Sequence, residues 1–413
     1  MFYEELIYLW IGFILFELFP ETTLNLSPFL ILLKELFFLL SIITFKKFFK
    51  FQRISGFWIN FFNLFVLVLF VVDLGFFGFK SFLNRYYFSS LLGFLWFLHY
   101  VVLIRVFLFG FSLAYLKIIL GMMSPIIILV LIENVLAILN LKLENYAYPL
   151  IFLLVLFVSP VFLIKLFPVK VLEDIKIREL VFRFFKTFGV KIREVYVLKD
   201  FGKKVYTAGV IGFFPKFKYI FFSQPLLDLL NEEELIGVLA HELGHIKNKH
   251  AFWLLLVLSG LPLCLTSIFC LFSFFDQLLG LKVLSYLKSL PSYHTETLSA
   301  LFLVFFSYLY LRYGFGYFLR QLEREADFYA LTILGNPKGI IASLLKIGEI
   351  SGQIYKKSWH HYGIFERICF LQQASLEGFN FKKFYIKNRA QIIIFWVMNL
   401  ILILSFGFLV AEI

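Results

Sequence analysis

Apolar residues in this chain come in long blocks, with little alternation. About nine stretches, near residues 6–19, 28–45, 57–79, 87–110, 118–139, 147–167, 251–275, 299–319 and 391–410, are apolar over most of the roughly 20 residues a helix needs to cross a bilayer. Lys34 and Glu35 interrupt the second stretch, and Asp73, His99, Arg105, Glu133 and Asn134 interrupt later ones. Polar groups are costly in lipid, so the later ones predict helix-to-helix pairing, the lining of an internal cavity, or segment ends that fall elsewhere.

Between about 168 and 250 the pattern changes. Residues 171–188 alternate apolar and charged positions with a helical period. Residues 189–199 and 205–222 are rich in β-branched and aromatic residues and predict strands, with turns at 201–204 and near Pro215. Asn231, followed three positions on by Glu234, predicts a capped helix start, and Glu232 and Glu233 favour the same first turn. The helix runs through the 240s and carries His241-Glu242-Leu243-Gly244-His245.

On a helix, residues four apart share a face, so His241 and His245 can reach one ion. Glu242 stands beside them as a general base, and the whole is the HExxH arrangement of zinc peptidases. Zinc in such a site polarises a scissile carbonyl and acidifies water. A third protein ligand is required. The metzincin spacing would need a glycine and a histidine where Asn248 and Ala251 stand, which excludes that class. His250 is out of that register and reads as a polar residue at the membrane interface. Glu323 and Asp327 are four apart on a predicted helix. Glu323 is the candidate third ligand, and Asp327 can accept from the free nitrogen of a ligating histidine. The competing reading of this run is a solvated charged helix face. Two crossings, 251–275 and 299–319, return Glu323 to the side that holds the histidines.

Composition sharpens the membrane reading. The 413 residues are 61% hydrophobic and 16% charged, against roughly 45–50% and 25% in ordinary globular domains. A soluble or disordered chain is excluded. The net charge of +12 sits largely beside segment ends: Lys46, Lys47, Lys50 and Arg53 in one loop, Lys382, Lys383, Lys387 and Arg389 in another. Basic short loops face the cytoplasm. No basic stripe interleaved with polar residues suggests nucleic acid. The start, with Glu4 and Glu5, lacks the basic region of a removable signal peptide. Cys264, Cys270 and Cys369 lie in apolar runs without zinc spacing and read as buried thiols.

With HELGH at 241–245, Arg320-x-x-Glu323-x-x-Ala326-Asp327, and His361 followed by Arg367 and Ile368, the chain resembles the membrane zinc metalloproteases that include HtpX and the type I CAAX prenyl-protein endopeptidases. The resemblance covers about 170–370. It implies that Glu323 is the third ligand and that His361, with Arg367 in support, stabilises the oxyanion. Tyr362 and Gly363 replace the family's usual prolines, and Thr207 replaces an asparagine in Thr207-Ala208-Gly209-Val210-Ile211-Gly212 before the zinc helix. An exposed strand there can still pair with an extended peptide.

The expected architecture is mainly α: a polytopic helical membrane protein with a small α+β gluzincin-like zinc protease region, a short hairpin or sheet lying beside the HExxH helix. The expected parts are an N-terminal multi-span region at 1–167, a metalloprotease region at 168–380 and a C-terminal membrane segment at 381–413. The expected activity is hydrolysis of peptides or membrane proteins, prenylated or not, with one Zn²⁺ per chain and the active site at the cytoplasmic face. Quality-control proteolysis, CAAX processing and a vestigial, non-catalytic metal site are the competing roles.

Overall fold

The computed structural model describes residues 2–21, 28–48, 56–86, 88–110, 113–139, 141, 147–198, 205–212, 214–376 and 380–411. The turn expected at 201–204, and Lys50 and Arg53 of the first basic loop, lie outside these. The chain forms two units, 1–166 with 282–308, and 167–281 with 309–413.

The first unit begins with α1 (Phe2–Leu18), α2 (Pro28–Phe48), α3 (Gly56–Gly75), α4 (Phe79–Leu83), α5 (Ser89–Phe109), α6 (Leu113–Ile138) and α7 (Ala147–Leu166). Phe16, Phe38, Phe70, Phe94, Phe97 and Tyr100 are fully buried, while Phe29, Leu32, Leu36, Phe37 and Leu40 of α2 are exposed. An outward apolar face on a helix whose inner face is packed suits lipid. Several of the interrupting polar residues tie helices together. Asp73 of α3 accepts from Lys34 of α2, from Trp96 Nε1 at 2.8 Å and from Tyr100 Oη at 2.6 Å, both on α5. Tyr100 also reaches Glu35 at 2.8 Å. Asn134 Oδ1 accepts from the Phe88 backbone N–H at 2.8 Å, and the Arg105 guanidinium lies 4.4 Å from the Tyr115 ring centre.

The second unit holds β1 (Val169–Val171), α8 (Ile175–Thr187), β2 (Glu194–Leu198), β3 (Ala208–Ile211), β4 (Tyr219–Ser223), α9 (Gln224–Leu229), α10 (Glu232–Lys247) and α11 (His250–Leu278). The chain then supplies α12 (Val283–Ser289) and α13 (Ser292–Leu309) to the first unit and returns with α14 (Gly316–Leu334), α15 (Lys338–Ser351), α16 (Ile364–Leu376) and α17 (Phe381–Ala411). A π-helical stretch, Tyr310–Phe315, joins α13 to α14. Five helical stretches are long and apolar enough to cross a membrane among the described residues: Ser89–Val106, Leu113–Ile138, His250–Leu278, His294–Leu334 and Phe381–Gly407. The expected span at 299–319 and the acidic run behind it therefore belong to one continuous helix.

The sheet differs from a simple hairpin. Its order is β1-β2-β4-β3, with β2 and β4 parallel and β3 antiparallel to β4. The stretch at 205–222 divides at the 3-10 turn Pro215–Phe217, where the turn near Pro215 was expected, because proline cannot donate to a ladder. Among the described residues β3 pairs only with β4, which leaves its outer edge open.

The helix α10 lies between two hydrophobic clusters. Leu235, Leu239 and Leu243, four apart, face Val195, Val197, Ile220 and Phe222 of the sheet and Val181 and Phe185 of α8. Ala240 faces Phe328 and Leu331 of α14, Ile340 and Leu344 of α15 and Leu371 of α16. The Asn231–Glu234 capping box closes its N-terminus with two 2.9 Å bonds. Gly244 brings α10 against α14: a Cβ there would meet the Ala326 Cα at 2.9 Å. The cysteines are free, and of the three expected to be buried only Cys270 is: Cys264 is half-buried, and Cys369 is exposed on the outer face of α16.

Candidate metal centre

The face of α10 left between the two clusters carries His241 and His245, and the close approach at Gly244 sets α14 beside it. His241, His245 and Glu323 each offer a donor atom, all within 4.8 Å of one another, and such a group can hold a metal ion. His241 Nε2 and His245 Nε2 stand 3.1 Å apart. Glu323 Oε2 lies 3.5 Å from the first, and Glu323 Oε1 lies 3.5 Å from the second.

The other ring nitrogens are occupied. His241 Nδ1 donates to Asp327 Oδ1 at 2.8 Å. That commits Nδ1–H to Asp327, so that in the ion-free protein Nε2 can carry a second proton toward Glu323, and an ion held there takes the place of that proton. Two converging lone pairs and a carboxylate repel or attract according to what stands between them, and a cation is what this geometry suits. Burial alone would favour a neutral His241, but the bonds to Asp327 and Glu323 outweigh it and raise its pKa to about 10 in the ion-free protein. Burial pulls His245 down to about 4, so its ring stays neutral. Burial also pushes Glu242 up to about 7, against the opposing charge of His241.

Asp327 is itself gripped by Arg367 of α16, whose Nε donates to Oδ2 at 2.8 Å and Nη2 to Oδ1 at 2.6 Å. His361, just before α16, is half-exposed, with Nδ1 3.2 Å from Glu323 Oε2. The structure thus brings His241, Glu242, His245, Glu323, Asp327, His361 and Arg367 into one site, with Arg367 reaching it through Asp327.

His250 corrects the sequence reading. It is buried, not interfacial. Its Nδ1 lies 2.8 Å from His245 Nδ1 and its Nε2 3.1 Å from Glu325 Oε2. The cause is Lys249, which takes the left-handed conformation (φ 54°) between α10 and α11 and turns the chain back on itself. Neither His250 nor Glu325 belongs to a spacing rule, and both stand in polar runs, Lys247-Asn248-Lys249-His250 and Glu323-Arg324-Glu325, that carry no signal of burial.

Residues 172–374 match Peptidase family M48. A protease HtpX homolog of Desulfatibacillum aliphaticivorans is 28% identical over 179 residues, 40% of this chain and 51% of the relative. Another, from Tropheryma whipplei (strain Twist), is 37% identical over 62 residues, 15% of this chain and 20% of the relative. The chain thus spans about half the length of the first of these relatives and a fifth of the second. The crystal structure of S. mikatae Ste24p aligns with 69% of this chain and 76% of its own, at 18% identity and a TM-score of 0.43.

Proposed function

Residues 172–374 belong to peptidase family M48, and from that premise we propose that the protein is an integral-membrane zinc metalloendopeptidase cleaving membrane-associated proteins or peptides. The observation that carries this is the spacing of three donors beside a buried carboxylate. Donors held at zinc's ligand distances in a tetrahedron stand about 3.3–3.4 Å apart. His241 Nε2 and His245 Nε2 stand 3.1 Å apart, and each lies 3.5 Å from one of the two Glu323 oxygens, Oε2 and Oε1 respectively.

Zinc held there supplies Lewis acidity toward a carbonyl oxygen and acidifies water. Glu242 takes the proton of the attacking water and hands it to the leaving amine. Asp327 fixes the tautomer of His241, and Arg367 fixes Asp327. His361, half-exposed beside Glu323, is the donor assigned to the carbonyl oxygen as negative charge develops. The open edge of β3, beside α10, receives the substrate as an added strand. Attack is direct, with no covalent enzyme intermediate.

The basic ends at Lys46 and Lys47 of α2, and at Lys382, Lys383 and Lys387 of α17, support a cytoplasmic orientation of the site. The multi-helix N-terminal part, seven helices before residue 167 among the described residues, supports a CAAX-processing role as the second reading, beside quality control.

The test pairs wild type with Glu242→Gln in detergent. Wild type should hold one zinc per chain and cleave casein or a peptide. The variant should hold the zinc, with cleavage reduced by roughly 10²–10⁴-fold, the usual worth of a general base. Wild type without zinc, or equal cleavage by both, removes the proposal. A farnesylated CAAX peptide set against an unprenylated membrane protein separates the two roles.

A further inference from the structure

Two buried carboxylates, Asp327 and Glu325, stand behind the histidine pair. Asp327 backs His241 directly. Glu325, completely buried two residues earlier on α14, backs His245 through an intervening ring, that of His250. Every neighbour of the Glu325 carboxylate is a donor. Arg389 Nη1 gives to Oε1 at 2.9 Å, Arg389 Nη2 to Oε2 at 2.7 Å, and Asn388 Nδ2 to Oε1 at 2.8 Å. The carboxylate is thereby held as an acceptor only.

Its remaining contact fixes the tautomers in order. His250 must carry its proton on Nε2 to donate to Glu325 Oε2. Its Nδ1 is then a lone pair and can only accept. His245 Nδ1, 2.8 Å away, must therefore carry a proton and donate it. That leaves the His245 Nε2 lone pair facing His241 Nε2 and Glu323, where an ion is to be held.

We propose that His250, Glu325 and Arg389 form a positioning relay that fixes the tautomer and orientation of His245, and that α17 is thereby part of the metal site. This rests on the zinc reading of His241, His245 and Glu323. Arg389 and Asn388 lie beyond residue 374, where the family match ends. The helix α17 is docked firmly enough for the task. Trp396 Nε1 donates to the Leu256 carbonyl at 2.9 Å, and Ser267 Oγ to the Asn399 carbonyl at 3.1 Å. Arg389 itself lies against Trp253, 4.5 Å from its ring centre, and Nη2 also reaches the Asn248 carbonyl at 3.1 Å, at the end of α10. One guanidinium therefore clamps α10, α11 and α14 together just behind His245.

The experiment uses the full chain in detergent, with zinc alone as the ligand. Zinc dissociation constants and rates of zinc transfer to a chelator are measured for wild type, His250→Phe, His250→Gln and Arg389→Gln. Melting of each ion-free protein and kcat and KM at saturating zinc are followed in parallel. We expect His250→Phe and Arg389→Gln to weaken zinc about 10–100-fold, the range found when the partner of a ligating histidine is removed. Ion-free melting should stay near wild type for His250→Phe, KM should change little and kcat should fall. His250→Gln, which can still accept from His245 and donate to Glu325, should recover most of the loss. Zinc held as tightly and exchanged as slowly by His250→Phe as by wild type overturns the relay. So does a zinc loss matched by an equal loss of ion-free stability, or no recovery with glutamine. A wild type that binds no zinc fails the underlying reading instead, and the two failures are distinct.

Discussion

The ring of His241 shows how much of a site is decided by what stands behind it. Its Nδ1–H is committed to Asp327, and Asp327 is committed to Arg367. Asp327→Asn keeps the shape but offers an amide whose nitrogen cannot accept. Zinc affinity should fall by about 10–100-fold, read by competition with a chelator, while ion-free melting changes less. Replacing Glu323 by alanine removes a donor itself and should abolish stoichiometric zinc, checked by metal analysis of the purified protein. The legibility of these residues followed their physics. His241 and His245 were visible because both lie on one helix, four apart, and Glu323 and Asp327 because charge is conspicuous after an apolar run. His250 and Glu325 were not visible. Their pairing depends on one positive φ at Lys249 and on Asn388 and Arg389 over sixty residues away, and no local pattern encodes either.

At the scale of elements, α10 carries the most consequence per residue. Its start is fixed by Asn231 and Glu234, and Asn231→Ala should cost about 1 kcal/mol of stability in denaturant melts. Glu234 also accepts from Lys346 of α15 at 2.7 Å. Burial works to raise its pKa, but the Lys346 and Asn231 hydrogen bonds outweigh this and hold it below the ordinary carboxylate value. A depressed native pKa means the unfolded chain binds the proton more readily. The contribution is complete at neutral pH and is lost as pH falls below the ordinary value through the lowered one. Melting followed from pH 7 to pH 3 should therefore show a smaller acid loss in Glu234→Gln than in wild type. Gly244→Val tests the contact with α14. Its side chain would collide with Ala326 backbone, and the helices must separate, at about 1–3 kcal/mol. Zinc binding should weaken with it, since Glu323 is carried by the helix displaced. The long apolar blocks all predict helices because an apolar run of about 20 residues has no other way to satisfy its backbone in lipid. The strand pairing was not. Parallel β2 and β4 with β3 on the outside is chosen by packing against α8 and α10, which alternation along a strand does not report.

For the molecule as a whole, the excess of apolar residues is divided between two tasks. Phe38 and Ile42 face inward on α2 while Phe29, Leu32 and Phe37 face outward, and on α17 Ile392 is buried while Ile394, Val397, Ile401 and Leu404 are exposed. Membrane fractions should retain the protein through alkaline carbonate washing and release it only to detergent, assayed by immunoblot. The sheet adds a consequence of another kind. One open strand edge, beside α10, can be joined only by backbone that has let go of its own hydrogen bonds. A helix crossing the bilayer has none to spare, because nothing in lipid replaces them. Under the proposed function, with substrate added at this edge, selection acts on the client's willingness to unravel more than on its side chains. The same scissile sequence should then be cut at rates that follow its local opening equilibrium, fast in a frayed or broken helix and slow in an intact one. The enzyme would in effect be measuring conformational stability and reporting it as cleavage.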